Sequence, residues 1–245
     1  MLRILFIGNS FSEDATRYIE QIADGELFVR NLYIGGCSLA MHAENIRSGA
    51  VCYDYQKDAS PIDRVSIQDG LTREAWDYVS IQQVSGHSGV EASYEPHINV
   101  LMDEIKRLAP QAKIVFHRTW AYDTGSAHPD FSLYKNDREY MWQCILATTK
   151  SITARYNLPI IPSGDAIAAA RREPEFDLEG GVAQLTRDTF HLSLDYGRYV
   201  AGLVLYKFFT GKSPLAVDFA PENCDTGVIQ KIKSVVHALD FDNLA

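Results

Sequence analysis

The sequence predicts an α/β domain, a three-layer αβα sandwich with a central parallel sheet of about five strands. The first observation is that short apolar runs alternate along the chain with segments whose apolar residues recur at helical spacing. This alternation is typical of βαβ units, which bury a parallel sheet between helices. The second is that no Pro/Ser/Gly-rich linker, internal repeat or low-complexity tract interrupts the 245 residues. We therefore expect one domain over residues 1–245.

In the first half of the chain, we expect strands over residues 3–7 and 26–34. Residues 12–23 carry an apolar stripe at helical spacing, and a short helix is expected over residues 39–47. Extended character around residues 50–70 predicts a surface hairpin inserted between these units.

The second half repeats the alternation, with a largely apolar and therefore buried helix near its end. Asp225 is the expected cap of the last helix. The expected strands are residues 78–81, 113–116 and 159–161, and the expected helices before the last one are residues 98–108, 137–156 and 194–209. In such a sheet, ligand sites form at the carboxyl ends of the strands.

Composition excludes several function classes. Apolar residues make up 46% of the chain and charged residues 22%, which is typical of globular proteins and not of disordered ones. A net charge of −9 without a Lys/Arg run argues against nucleic-acid binding. No apolar stretch approaches the roughly 20 residues that span a bilayer. The chain has four cysteines, which are Cys37, Cys52, Cys144 and Cys224. They are too few for a disulfide scaffold, and the absence of a C-x-x-C pair argues against a zinc knuckle.

The N-terminus carries no visible signal peptide, because the chain enters a strand-like run directly after Arg3. We expect a cytoplasmic protein for the sequence as written, and a periplasmic or secreted one if an export signal has been removed. The oligomeric state is not predicted.

Two candidate elements of a catalytic site follow the first two strands. Ser10 lies on a strand-to-helix turn, where its hydroxyl is presented at the open end of the sheet and its N–H can hold an oxyanion. The alternative is that Ser10 or Ser12 simply caps the helix. Gly35 and Gly36 follow the second strand and would let a backbone N–H approach a ligand, although they also suit a plain turn.

Two amides follow the strand at residues 78–81. Gln82 or Gln83 could donate to an oxyanion or a substrate hydroxyl. Only one is expected to do so, because neighbouring strand residues point to opposite faces. The alternative is that both satisfy backbone groups of the loop.

A candidate base lies near the C-terminus. Asp188 precedes His191 by three residues and can accept a hydrogen bond from one ring nitrogen, leaving the other free to take a proton from a serine. The alternatives are a surface pair or a metal pair. No metal site or cofactor is expected, because the chain has no H-E-x-x-H and no second D-x-H.

Together these elements resemble the four blocks of the SGNH (GDSL-like) hydrolase superfamily, from Ile4 to about Gly211. The most specific parts are I-L-F-I-G-N-S-F-S at the start and D-T-F-H-L-S near the end. The chain is most similar to a poorly characterised bacterial branch with G-G-C-S-L-x-x-H, I-Q-Q-x-S and H-x-T-W-A-Y. The resemblance implies a flavodoxin-like fold.

The third block departs from the common G-x-N-D, since Ile81-Gln82-Gln83 stands there. A glutamine at this block is similar to carbohydrate and sialate O-acetylesterases. The resemblance implies Ser10 as nucleophile, His191 as base and Asp188 as its partner. The implied oxyanion donors are the N–H groups of Ser10 and Gly36 with the Gln82 amide or, as second choice, Gln83.

By this resemblance we expect a serine esterase that removes an O-acetyl or other short acyl group from a small-molecule or saccharide ester. Candidate substrate-binding residues are Asn9, His42, Trp120 and Tyr122, of which the aromatic ones could stack on a sugar ring or pack in the core. The alternatives are a catalytically inactive glycan-binding domain and a lipid or thioester hydrolase of the same fold.

Overall fold

The computed structural model describes residues 1–241 and 243, and within these it places seven strands in one sheet. The strands are β1 (Leu2–Gly8), β2 (Leu27–Tyr33), β3 (Tyr53–Lys57), β4 (Ser60–Val65), β5 (Tyr78–Ile81), β6 (Lys113–His117) and β7 (Ile160–Ile161). Their order in the sheet is β4-β3-β2-β1-β5-β6-β7. The strands β2, β1, β5, β6 and β7 are mutually parallel, while β3 and β4 form an antiparallel hairpin on β2. The sheet exceeds the expected five strands because this hairpin extends its edge.

Helices cover both faces of the sheet, as the three-layer prediction requires. They are α1 (Ser10–Thr16), α2 (Ile19–Ala23), α3 (Leu39–Ser48), α4 (Ile67–Thr72), α5 (His97–Leu108), α6 (Arg138–Tyr156), α7 (Ser163–Ala170), α8 (Tyr196–Thr210) and α9 (Thr226–Ala238). In the residues described, the helices are too short or too polar to cross a lipid bilayer.

The core divides in two because successive residues of the central strand point to opposite faces. Ile4 and Phe6 of β1 lie in a cluster with α1, α2, α8 and α9. Leu5 and Ile7 lie in a second cluster with α3, α4 and α5. β1 is therefore apolar on both sides, and its carboxyl end delivers Asn9 and Ser10 to the sheet edge where the loops after β2 and β5 also emerge.

Two local features differ from the sequence prediction. The helix expected over residues 12–23 begins at Ser10 and is interrupted after Thr16, which gives α1 and α2. The short helices α4 and α7 were not predicted. The last helix begins after Asp225, whose carboxylate accepts a hydrogen bond from Val228 N at 3.0 Å.

Candidate active site

Ser10 is the first residue of α1, and its hydroxyl is free of any capping role. The helix cap is Asn9, whose Oδ1 accepts from Phe11 N at 3.1 Å. Ser12 is fully buried, with its Oγ 2.8 Å from both Asn9 O and Asn31 Oδ1. A Cβ on Gly8 would lie 2.6 Å from that Oγ, so only glycine fits this turn. The turn therefore presents Ser10 and packs Ser12 beneath it.

Three side chains from opposite ends of the chain meet at Ser10. Its Oγ lies 2.8 Å from His191 Nε2, and His191 Nδ1 lies 2.7 Å from Asp188 Oδ2. Asp188 Oδ1 accepts from the N–H groups of His191 and Phe190. These distances are within the range for a nucleophile, a base and the group that orients the base.

The electrostatics of Asp188 suit a permanently charged partner for His191. Partial burial acts to raise the pKa of the Asp188 carboxyl, but the hydrogen bonds from His191 outweigh it and lower the pKa below its usual value. The carboxylate is therefore ionised at neutral pH and favours the His191 tautomer with its proton on Nδ1. Among residues 1–241 and 243, no group of three or more His, Cys, Asp or Glu side chains is arranged to hold a metal ion.

A carboxylate that the sequence did not single out joins helix α1 to the loop that carries His191. Asp14 is fully buried on α1, and its Oδ2 accepts from Leu192 N at 2.9 Å. Arg187 and Arg198 both donate to Asp14 Oδ1, at 2.9 and 2.8 Å. Because Leu192 follows His191 directly, Asp14 fixes the height of the base above Ser10. No local spacing reveals this contact, since the partners are 178 residues apart.

The backbone N–H groups expected to bind an oxyanion belong to Ser10 and Gly36. Gly36 lies in an exposed turn with φ of 63°, a conformation that favours glycine. In the part of the chain that the structure describes, neither Gly36 N nor Ser10 N donates to another group. Asn9 Nδ2 donates to Cys37 O at 3.0 Å and so ties the Gly36 turn to the nucleophile turn.

The two amides expected as oxyanion donors both form hydrogen bonds within the protein. Gln82 is buried, with its Nε2 donating to Asn9 Oδ1 at 2.9 Å and its Oε1 lying 2.9 Å from His117 Nδ1. Gln83 is also buried and hydrogen-bonds loop groups, accepting from Leu39 N and donating to Ser93. Gln83 Nε2 has two partners, both on Ser93, whereas Gln82 Nε2 has one, Asn9 Oδ1. Gln82 holds Asn9, and through it the Gly36 turn.

The four expected substrate-binding residues are buried and do not line an open cleft. The Asn9 side chain is hydrogen-bonded to Phe11 N, Cys37 O and Gln82 Nε2. His42 is fully buried, lies 2.8 Å from Tyr53 Oη through Nδ1, and has its pKa lowered to about 3 by burial. Tyr122 is buried with its hydroxyl 2.9 Å from Ser85 Oγ. The burial of these four residues therefore does not support the expected substrate contact.

Trp120 is buried and contacts the loop that carries His191. Its exposure is 0%, and its Nε1 donates to Phe190 O at 2.8 Å. The aromatic side chain that does border the site is Phe190, which is partly exposed with its ring centroid 4.3 Å from that of His191. Sequence spacing had pointed to His191 and passed over its neighbour.

Comparison with known protein families assigns the chain to one of them. The family model described as Domain of unknown function (DUF4886) matches residues 3–239. A crystal structure of a DUF4886 family protein from Bacteroides uniformis is 32% identical, with a TM-score of 0.87 and coverage of 96% of this chain and 93% of that one. No curated protein matches the sequence at a significant level.

More distant structures share the fold. A candidate SGNH hydrolase from Slackia heliotrinireducens is 22% identical, with a TM-score of 0.60 and coverage of 84% of this chain and 97% of that one. The acetyl xylan esterase AlAXEase is 13% identical, with a TM-score of 0.54 and coverage of 85% of this chain and 100% of that one. The fold is thus that of the SGNH hydrolases and related esterases.

Proposed function

The chain belongs to the DUF4886 family, and we propose that it is a serine ester hydrolase acting through an acyl-enzyme on Ser10. The observation that carries the proposal is the hydrogen-bonded series Ser10 Oγ, His191 and Asp188, with links of 2.8 and 2.7 Å. A serine hydroxyl aligned with a histidine that is held by a carboxylate is the arrangement that activates a weak nucleophile.

The proposed reaction begins with acylation of Ser10. Ser10 Oγ attacks the ester carbonyl carbon while His191 Nε2 takes the hydroxyl proton, and Asp188 stabilises the resulting imidazolium. The carbonyl oxygen becomes an oxyanion that the N–H groups of Ser10 and Gly36 bind. Collapse of this intermediate breaks the bond to the alcohol oxygen, and His191 delivers its proton to the leaving alcohol.

Deacylation uses the same groups in reverse. A water molecule gives a proton to His191 Nε2 and attacks the acyl carbon, forming a second oxyanion at the same N–H groups. Its collapse releases the carboxylic acid and returns the proton to Ser10 Oγ. The cycle leaves the protein unchanged and needs no cofactor.

For the substrate, we propose a short acyl ester, with an O-acetyl group on a saccharide as the first candidate. Support comes from the shared fold with an acetyl xylan esterase and from the partly exposed Phe190 ring beside His191. Aromatic faces of this kind stack well on the apolar faces of sugars.

The test is hydrolysis of p-nitrophenyl acetate by the wild type, Ser10→Ala and a control, Ser234→Ala, which alters an exposed serine on α9. We expect Ser10→Ala to lower kcat by about 10³-fold or more and the control to leave it unchanged. Equal turnover by wild type and Ser10→Ala would refute the serine mechanism. Esters of acetate, butyrate and octanoate, together with an acyl thioester, then separate a short-acyl esterase from a lipid or thioester hydrolase. Saccharide binding without any turnover would indicate a glycan-binding domain.

A further inference from the structure

Two polar side chains, one on α1 and one at the end of β2, take no part in the proposed chemistry. Glu13 follows Ser10 by three residues on α1, so the two side chains lie on the same face of the helix. Tyr33 ends β2, where its Cα pairs with that of Gly8. A Cβ on Gly35 would lie 3.3 Å from the Tyr33 hydroxyl, so this hydroxyl borders the turn that carries the Gly36 N–H.

The Glu13 carboxylate is held from below by a chain of buried polar side chains. Ser12 Oγ lies 2.8 Å from Asn31 Oδ1, and Asn31 Nδ2 donates to Gln56 Oε1 at 2.8 Å. Gln56 Nε2 then donates to Glu13 Oε2 at 2.8 Å. Buried amides are costly unless fully hydrogen-bonded, and a connected chain of this kind fixes the orientation of the group at its end.

The other oxygen of Glu13 remains available to a ligand. Its nearest charged partner is Arg198 Nη2 at 3.9 Å, which is too long for a hydrogen bond. Arg198 is in any case already bonded to Asp14 at 2.8 Å. The Glu13 side chain is 21% exposed, so this acceptor is held in place yet reachable.

Tyr33 supplies a candidate donor at the Gly35–Gly36 turn, near enough to Glu13 to feel the charge of its carboxylate. Within residues 1–241 and 243, its hydroxyl forms no hydrogen bond, and the residue is partly exposed. Burial, with the nearby carboxylates of Glu13 and Asp54, raises the pKa of Tyr33, so the phenol keeps its proton at neutral pH. A ligand hydroxyl group can donate to a carboxylate and accept from a phenol.

We propose that Glu13 and Tyr33 form a subsite for hydroxyl groups on the alcohol portion of the ester. An alkyl chain at this place would strip water from a carboxylate and a phenol without replacing their hydrogen bonds, which is unfavourable. A site built to hydrogen-bond a hydroxyl also discriminates strongly against analogues that lack it. The subsite therefore selects polyhydroxylated alcohols, such as sugars, over alkyl or aryl alcohols. This inference rests on the proposed esterase function.

The test compares two kinds of acetyl ester with the same acyl group. p-Nitrophenyl acetate has no hydroxyl on its alcohol portion, whereas methyl glycosides of xylose, glucose and galactose carrying one O-acetyl group have several. The variants are Tyr33→Phe and Glu13→Gln, the second of which keeps an oxygen for the Gln56 bond. Glu44→Gln, at an exposed position on α3, is the control.

We expect each variant to lower kcat/KM for the best glycoside acetate by about 10- to 100-fold, the range of a hydrogen bond to a charged or well-placed partner. For p-nitrophenyl acetate, kcat/KM should stay within about twofold of wild type, since the triad is unaltered. Equal losses on both substrates would show a merely structural role and overturn the subsite. No loss on either, or a wild type that cleaves p-nitrophenyl acetate but no glycoside acetate, would also overturn it.

Failure of the esterase function gives a different result. If the wild type cleaves neither substrate, calorimetric titration of the same glycoside acetates tests the subsite alone. The subsite is supported if the wild type binds a glycoside acetate and Tyr33→Phe binds it with an affinity about 10-fold or more lower. Absence of binding, or equal affinity of the two proteins, refutes it.

Discussion

Replacing Asp14 by asparagine should destabilise the protein and slow the reaction at Ser10. The substitution keeps the size of the side chain and removes its charge. Arg187 and Arg198 then face an amide, whose nitrogen presents hydrogens to groups that are themselves donors. Only one oxygen remains for three donors, the third being Leu192 N.

The magnitude follows from the burial of the three charged groups. Removing one partner of a fully buried ion pair costs about 3–5 kcal/mol. Asp14 is fully buried, but the Arg198 and Arg187 side chains are 11% and 30% exposed, so water relieves part of the cost. We expect about 3 kcal/mol of lost stability, which corresponds to a Tm lower by about 6–12 °C for a domain of this size. If Leu192 shifts His191 by about 1 Å, kcat falls by about 100-fold.

The assays are urea unfolding, thermal unfolding and kcat on p-nitrophenyl acetate. The matched control is Asp137→Asn, at the exposed cap of α6, where asparagine caps as well as aspartate and both quantities should stay near wild type. If the unfolding free energy of Asp14→Asn is within 1 kcal/mol of wild type and its kcat within twofold, Asp14 is not the link between α1 and the loop that carries His191.

Two further predictions concern buried side chains. Trp120→Phe should lower the free energy of unfolding in urea by about 1–3 kcal/mol, because Phe190 O loses its buried donor. KM for glycoside acetates should stay unchanged. A large rise in KM would show that Trp120 contacts the substrate. Burial lowers the pKa of both His42 and His117 to about 3, whereas the unfolded chain has about 6.5. The unfolded state therefore binds more protons between these values, and stability falls on acidification, by about 1.6 kcal/mol for each histidine from pH 6.5 to 5. Unfolding free energies that stay flat over this range would contradict the assigned burial.

The fold could be predicted from the sequence because most of its strands and helices have a recognisable local pattern of apolar residues. Residues 78–81 form the expected strand, and Asp225 caps the last helix as its side-chain chemistry predicts. The break between α1 and α2 was hidden because Ala15, Ile19 and Ile22 bury into one core cluster on both sides of it. Helices as short as α4 carry too few residues for a periodic signal.

For the site, only the residues with a local signature could be found. Asp188 and His191 are three residues apart, and Ser10 follows a strand directly, so short-range patterns were enough to single them out. The fate of Gln82 depends on Asn9 and His117, which lie 73 and 35 residues away. A sequence shows that an amide can donate, but the competing acceptor is known only once the fold brings it near.

The joining of Ser10 to the loop that holds His191 has a consequence for synthesis of the chain. Ser10 and His191, the proposed nucleophile and base, are 181 residues apart, at opposite ends of the polypeptide. A ribosome that has completed the first strands has already produced Ser10, in a chain that holds no base for it. The partners of Asp14, which are Arg187, Leu192 and Arg198, follow it by 173 to 184 residues. The proposed catalytic series therefore cannot form until most of the chain has been synthesised.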